Sequence, residues 1–180
     1  MKEKGIAPLV VVVIIVIAAV AVGGAYLAMS GGEGNGNGGG NGGGNGGGGG
    51  VGDATSLSFT VDVTVEGDTE TLYFKAKNIG SPNVKFRYEG TFEGEEVKTI
   101  LDAGENKYWM WSSTTGWQDI SGFFDQSYSA YQEALSGYTT QLSGWTGGDW
   151  TYTDPTTGAS VRIYEIQVNP SLPDSLFQPD

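Results

Sequence analysis

The chain has 180 residues, of which 21 are acidic and nine are basic, and its formal net charge is −12. It contains no cysteine and no histidine, which excludes disulfides, thiolate metal sites, a cysteine nucleophile and a lipid-modified cysteine anchor, and removes the usual general base near neutral pH. We therefore expect no enzymatic activity, no metal site and no cofactor, and the acidic charge argues against nucleic acid as a partner.

The first feature along the chain is an uncharged apolar segment, residues 6–29, that follows Lys2 and Lys4. As a helix rising about 1.5 Å per residue it spans roughly 36 Å, enough to cross a hydrocarbon core of about 30 Å. Because no further lysine follows until Lys75, the positive-inside rule places residues 1–5 in the cytoplasm. The sequence predicts a single-pass protein of the cell membrane with an extracellular C-terminal domain, and the membrane is its first expected partner.

Two alternatives concern the processing of this segment. Residues 19–21, Ala-Val-Ala, match the small-residue pattern of a signal-peptidase site, although hydrophobicity continues beyond them to Leu27. Residues 4–8, Lys-Gly-Ile-Ala-Pro, precede a Val/Ile-rich helix and resemble the class III signal of archaeal type IV pilins and archaellins. That resemblance implies cleavage after Gly5 by a prepilin-type peptidase, with the apolar helix kept on the mature protein.

Residues 30–52 consist almost wholly of glycine and asparagine. Glycine-rich chains lose more conformational entropy on ordering than they recover without side chains to bury, so we expect a disordered linker. Its r.m.s. reach as a flexible chain is roughly 25 to 30 Å. Such a tether holds a domain off the membrane without orienting it, which argues against a pilin subunit, in which we would expect a rigid helix to position the head.

The remaining residues, 53–180, are enough for one domain with a single core. They carry 19 of the 21 acidic residues and seven of the nine basic ones, and hence the whole net charge. Apolar and polar residues alternate with the period of a half-buried strand from Leu57 to Glu66, and again in shorter stretches. Together these stretches predict an antiparallel meander with strands at residues 57–66, 72–77, 84–89, 97–101, 108–111, 150–152 and 161–168.

Acidic residues cluster at two expected turns, residues 66–70 and 93–95. Carboxylate pairs of this kind can form a glycosidase dyad or bind calcium. Both clusters lie between strand patterns, where glycine and acidic residues are typical of hairpin turns for backbone reasons alone. We interpret them as turns, and the sequence indicates no catalytic residue.

An amphipathic helix is predicted between the two groups of strands. Ser121 is its expected N-cap, and Gly137 is expected to break or kink it. We expect the helix to bury its apolar face against the concave side of the sheet. That face is formed by apolar residues at spacings of 4, 3, 4, 3 and 4, namely Phe124, Tyr128, Tyr131, Leu135, Tyr138 and Leu142.

Several stretches between residues 57 and 179 resemble the LolA/LppX-like outer-membrane lipoprotein carrier superfamily. Lys-Ala-Lys-Asn at 75–78 and Pro-Asn-Val-Lys-Phe-Arg-Tyr-Glu at 82–89 are similar to its strand pair joined by a Lys- and Pro-containing turn. Residues 101–109 are similar to its Asp-Gly-Lys-x-Leu-Trp hairpin, and residues 168–177 are similar to its Phe-x-x-Pro terminus.

The resemblance implies a mainly β fold, an unclosed antiparallel β-barrel half wrapped around an inserted helical lid, with an apolar cavity that holds acyl chains in relatives. For this chain it implies a lipid or another hydrophobic molecule as ligand. Strand alternation puts Trp109 and Trp111 on one face and Tyr108 and Met110 on the other, and leaves open which pair faces the cavity. The lining residues that the resemblance suggests are Phe86, Tyr88, Leu101, Trp109, Trp111, Phe124, Tyr128, Tyr131 and Leu135.

Three functions follow as hypotheses. The first is a membrane-tethered extracytoplasmic domain that binds a lipid or another hydrophobic ligand. The second is a pilin-like or cell-surface structural or adhesion protein with a filled core. The third is a carboxylate-dependent hydrolase, which the missing histidine and cysteine disfavour. The flexible linker favours the first hypothesis over the second.

Overall fold

The computed structural model describes residues 51–92, 95–153 and 158–180. The predicted membrane helix at residues 6–29 and the linker up to residue 50 lie outside the described residues. Within the described part, no helix is long and apolar enough to cross a membrane. Val51 and Gly52, assigned above to the end of the linker, lie in a short 3-10 turn, and the Val51 side chain is buried.

The domain is mainly β, and its eight strands form one antiparallel sheet that does not close into a barrel. Six strands follow one another as a meander, and a hairpin of two further strands adds to the free side of the first. The order across the sheet is β6-β5-β4-β3-β2-β1-β8-β7. The strands are β1 (Ser56–Val65), β2 (Asp68–Lys77), β3 (Lys85–Phe92), β4 (Glu95–Asp102), β5 (Lys107–Ser112), β6 (Gly116–Asp119), β7 (Trp150–Thr153) and β8 (Ser160–Val168).

Most of these strands occupy the stretches where apolar and polar residues alternate in the sequence. Strand β6 is the exception, because its four residues are too few to show an alternating pattern. The turn predicted at residues 66–70 is confirmed and is shorter than expected. Only Glu66 and Gly67, with φ of 54° and 93°, leave the ladder, as in a two-residue type I′ hairpin.

The second predicted turn, at residues 93–95, lies largely outside the described residues. Within the part that the structure describes, no group of three or more His, Cys, Asp or Glu side chains is placed to hold a metal ion.

Among the described residues there is one α-helix, α1 (Phe124–Gln141), which lies between β6 and β7. It is continuous through Gly137, so the predicted break there is wrong. A glycine inside a helix costs about 1 kcal/mol, which is less than the burial of one large side chain such as Tyr138 contributes. Ser121 is not the cap, since Phe123 occupies that position without a side-chain hydrogen bond. The Ser121 hydroxyl instead accepts a bond from the Tyr108 backbone N–H at 3.1 Å.

The sheet has an inner face, covered by α1, and an outer face. On β1 and β2 the register places Leu57, Phe59 and Val61 opposite Ala76, Phe74 and Leu72, all of them buried on the inner face. The residues between them in sequence point to the outer face. The main core is drawn entirely from residues 51–163. The described residues therefore have their own hydrophobic core, and we expect them to fold without the segment before them.

Candidate functional site

The apolar stripe of α1 packs against the inner face through aromatic rings. Side chains three and four positions apart share one side of a helix, so Tyr131 and Tyr138 both point at the sheet. The centroid of the Tyr131 ring lies 5.2 Å from that of Phe86, and the Tyr138 centroid lies 4.7 Å from that of Phe59. The contact between helix and sheet is therefore largely aromatic.

Seven of the nine residues proposed for the cavity lining meet at this contact. Tyr128 is half-buried against the core, and its ring stacks on Phe124 with centroids 5.5 Å apart. Their role in ligand binding stays a prediction. The other members lie within the core cluster itself, namely Phe86, Tyr88, Leu101, Phe124, Tyr131 and Leu135.

The placement of Trp109 and Trp111 beside the helix is wrong. On β5 it is Tyr108 and Met110 that are buried in the core, in register with Leu101 and Thr99 of the inner face. Both tryptophans are half-buried on the outer face, where the Lys98 ammonium lies 4.5 Å from the ring centroid of Trp111. Hydrophobicity did not separate the two faces here, because large apolar side chains occur on both.

In this conformation the helix and the sheet pack directly against each other. Phe86, Leu101 and Tyr131 have relative exposures of 0%, and Ala134 on the helix is equally buried. The side chains expected to line a cavity thus fill the space between helix and sheet themselves. A ligand at this place requires α1 to move away from the inner face.

Four hydroxyl groups meet within this apolar contact, and we call them the hydroxyl cluster: Thr99, Tyr108, Ser127 and Tyr131. Thr99 on β4 and Tyr131 on α1 are hydrogen-bonded to each other. The hydroxyls of Tyr108 and Ser127 have no hydrogen-bond partner among the described residues. A buried hydroxyl without a partner is costly, which makes this the least satisfied point of the core.

The tyrosines around the cluster stay protonated and neutral. Burial raises the pKa of Tyr108 to about 12, against smaller opposing contributions from the neighbouring hydroxyls of Ser127, Tyr131 and Thr99. Burial also raises the pKa of Tyr131 well above its ordinary value, with the nearby Tyr108 adding to the effect. The interior therefore offers neutral hydroxyl donors and acceptors at physiological pH.

The connections at both ends of α1 are short and contain glycine. A 3-10 turn, Ser121–Phe123, leads into the helix. After the helix, Gly147 and Gly148 adopt φ of 130° and 81°, a backbone region that other residues rarely occupy. Trp145 is packed partly against the core and donates from its Nε1 to the Gly148 carbonyl at 2.8 Å. These connections are the positions where the backbone can absorb a movement of α1.

The outer face carries a feature that the sequence did not reveal, the tail segment, residues 170–180. Lys77 Nζ donates to the Leu172 carbonyl at 2.9 Å, and Arg87 Nη1 donates to the Leu176 carbonyl at 2.7 Å. Phe177 is fully buried outside the main core cluster, in a 3-10 turn that contacts β3 and β4. The tail segment is thus tied to the outer face, and this explains why Arg87 is buried there.

An open groove of about 580 Å³ lies where the β1 and β8 pairing shifts register. Its polar lining includes Thr60, Lys75 and Gln167, together with the exposed ring of Tyr73. Glu165 has a φ of 53° and accepts a hydrogen bond from Thr60 Oγ1 at 2.8 Å. The groove is open, and its lining mixes polar residues with apolar ones such as Ile166.

Comparison with known proteins finds no family model, no curated protein and no solved structure that matches this chain.

Proposed function

We propose that this protein is a membrane-tethered extracytoplasmic domain that binds a lipid or another hydrophobic molecule between its sheet and its helix. The observation that carries the proposal is an unclosed sheet whose aromatic inner face is covered by α1, a single helix with glycine-containing connections. Such a helix can serve as a lid. The membrane tether and the outward orientation follow from the apolar segment and lysines before residue 30.

The arrangement supports the LolA-like interpretation at the level of architecture. An open antiparallel sheet with one helix inserted late in the chain is the element order that the resemblance implies. Under this proposal the conformation in which α1 packs directly on the sheet is the ligand-free one. When the ligand binds, it replaces the apolar stripe of α1 on the inner face.

The energetics make this exchange reasonable. Burial of one CH₂ group is worth about 0.8 kcal/mol, so a chain of about ten carbons contributes roughly 8 kcal/mol before costs are subtracted. Moving α1 loses ring contacts of Tyr131 and Tyr138, each worth about 1.5 to 3 kcal/mol by burial. A medium-length acyl chain therefore offsets the loss of these two ring contacts, and the ligand must also cover the other side chains that the opening exposes.

The test is binding of a neutral hydrophobic fluorophore, N-phenyl-1-naphthylamine, to the isolated domain of residues 51–180. We expect saturable fluorescence enhancement, a higher melting temperature and a shift in the emission of Trp145 and Trp150, which pack against the core. Native mass spectrometry of the full chain, extracted from its own membranes, should show a co-purified lipid.

A pair of helix variants locates the binding. Tyr131→Asp puts an unpaired charge on the inner stripe and should abolish probe binding or loosen α1 before the sheet melts. Ser136→Asp adds the same charge on the exposed side of α1 and should bind the probe like the unmodified domain. Equal binding by the two variants would place the probe elsewhere on the domain.

The second candidate function is a cell-surface structural or adhesion protein, and the filled helix contact favours it. In that case the aromatic stripe is ordinary core, and α1 never leaves the sheet. A flat titration with N-phenyl-1-naphthylamine, together with no co-purified lipid, would favour this function over a hydrophobic-ligand-binding domain.

A further inference from the structure

Two hydroxyl groups deep in the helix contact lack hydrogen-bond partners. The Tyr108 hydroxyl comes from the inner face of β5, and the Ser127 hydroxyl comes from α1 directly above it. Both residues have relative exposures of 0%. The Tyr108 hydroxyl lies next to those of Ser127, Tyr131 and Thr99, which lower its pKa through side-chain hydrogen bonding, but no contact of the Tyr108 or Ser127 hydroxyl reaches full hydrogen-bond geometry. A polar group that entered here would be bound by two hydroxyls whose hydrogen bonds to their neighbours are incomplete.

The basic residues of the described sheet all lie on the face opposite to this point. Two of the nine basic residues, Lys2 and Lys4, precede residue 51, and the other seven all have register positions on the outer face. Each of the seven is already ion-paired with a carboxylate. They are Lys75, Lys77, Lys85, Arg87, Lys98, Lys107 and Arg162.

The helix offers no positive charge either, because α1 contains neither lysine nor arginine. The charge that does act on the inner face is negative. Burial raises the pKa of Tyr88, and the neighbouring Tyr138 and the carboxylate of Glu70 on β2 raise it further. An anionic head group at the hydroxyl cluster would thus be desolvated beside acidic and neutral groups, without a cation to compensate it.

We propose that the ligand is an uncharged amphiphile, a hydrocarbon chain ending in an alcohol, ether or ester oxygen that hydrogen-bonds to Tyr108 and Ser127. This inference rests on the proposed function and specifies the ligand class for the same site. It excludes fatty-acid carboxylates and phospholipid phosphates as the group that occupies the cluster.

The test compares two probes of equal chain length, 1-decanol and decanoate, as competitors of N-phenyl-1-naphthylamine on the domain of residues 51–180 at pH 7.4. Both contain ten carbons, with one carbon of decanoate in its head group, and only the decanoate head is charged. We expect decanol to displace the fluorophore at concentrations roughly 30-fold or more below those of decanoate.

Removing the two unpaired hydroxyls tests the head-group site directly. The double variant Tyr108→Phe/Ser127→Ala should bind decanol about 3- to 10-fold more weakly, measured relative to its own affinity for the fluorophore. Its melting temperature should not fall, because the change removes buried polar groups that had no partner. Ser136→Ala, which deletes an exposed hydroxyl of the same helix, should leave decanol binding unchanged.

The outcomes test the proposed function and the neutral-ligand inference separately. Absence of fluorophore binding would overturn the proposed function itself. Fluorophore binding with equal or better displacement by decanoate would overturn the neutral-ligand inference alone. Unchanged decanol binding by the double variant would also overturn it, and would assign the two hydroxyls to a buried water molecule instead.

Discussion

At the scale of single residues, the interior is unusual for its tyrosines. Tyr88, Tyr108, Tyr131 and Tyr138 are all buried between the sheet and α1, with relative exposures of 7% or less. Burial raises the pKa of each of them above the ordinary value of tyrosine. The folded domain therefore holds four protons at alkaline pH that the unfolded chain releases.

This proton difference predicts alkaline unfolding. The stabilising contribution is fully present below pH of about 10, where tyrosine in the unfolded chain is still protonated, and is lost as pH rises above that value. Each buried tyrosine adds about 1.4 kcal/mol per pH unit to the decline in the free energy of unfolding. Urea unfolding monitored by circular dichroism between pH 9 and 11.5 measures the slope.

One variant and one control show whether the buried tyrosines cause the decline in the free energy of unfolding. For Tyr138, burial alone raises the pKa, so Tyr138→Phe removes one titrating group and should make the decline shallower by about 1.4 kcal/mol per pH unit. Tyr73 is 46% exposed, and Tyr73→Phe should leave the slope near that of the unmodified domain. Identical slopes for all three proteins would show that the buried tyrosines do not govern the transition.

At the scale of elements, the tail segment gives the outer face a small core of its own. Phe177 and Ile100 are each fully buried, and neither belongs to the main cluster between sheet and helix. Ile100 lies in register with Arg87 and Trp109, both on the outer face. The tail segment thereby covers apolar surface that an open sheet would otherwise expose to solvent.

Phe177→Ala should therefore be strongly destabilising. Truncation of a fully buried phenylalanine costs about 3 to 5 kcal/mol, which corresponds to a fall in melting temperature of roughly 10 to 20 °C for a domain of this size. The matched control is Phe123→Ala, because Phe123 is 37% exposed, and it should change stability by about 0.5 kcal/mol or less. Calorimetry that gives similar shifts for both variants would show that the tail segment is only loosely attached.

The same elements show what the sequence could and could not predict. Regular alternation identified most strands, and the helical spacing of Tyr131 and Tyr138 identified the buried side of α1. Alternation sorts a strand into two sets of residues without saying which set faces the helix. On β5 the larger aromatic residues, Trp109 and Trp111, lie outside, because the outer face has its own apolar cover.

The hydroxyl cluster was beyond prediction for a different reason. Tyr108 and Ser127 belong to different elements and meet only through the way α1 crosses β5. No local pattern encodes such a crossing, because it depends on the packing of the whole core. For the same reason the sequence did not reveal the tail segment, whose contacts with Lys77 and Arg87 join residues 95 and 89 positions apart in sequence.

At the scale of the whole molecule, the domain and its tether should be separable. The described fold begins at Val51, whose side chain is 2% exposed and belongs to the main core, two residues before the predicted domain boundary. Residues 6–29 and 30–50 lie outside the described residues, so their roles as membrane helix and flexible linker stay predictions. Proteolysis of intact cells tests both together.

Proteinase K added to intact cells should release a folded fragment that begins between residues 30 and 51. Release requires an extracellular domain, and cleavage within that window requires an accessible linker.

A recombinant domain starting at Asp53 should melt at a lower temperature than one starting at Val51, because it lacks a fully buried valine.

Mass spectrometry of the intact protein, before proteolysis, should read the mature N-terminus as Met1, or as Ile6 after prepilin-type processing. An N-terminus at Val22 would mean an ordinary cleaved signal, and the protein would then carry no membrane tether.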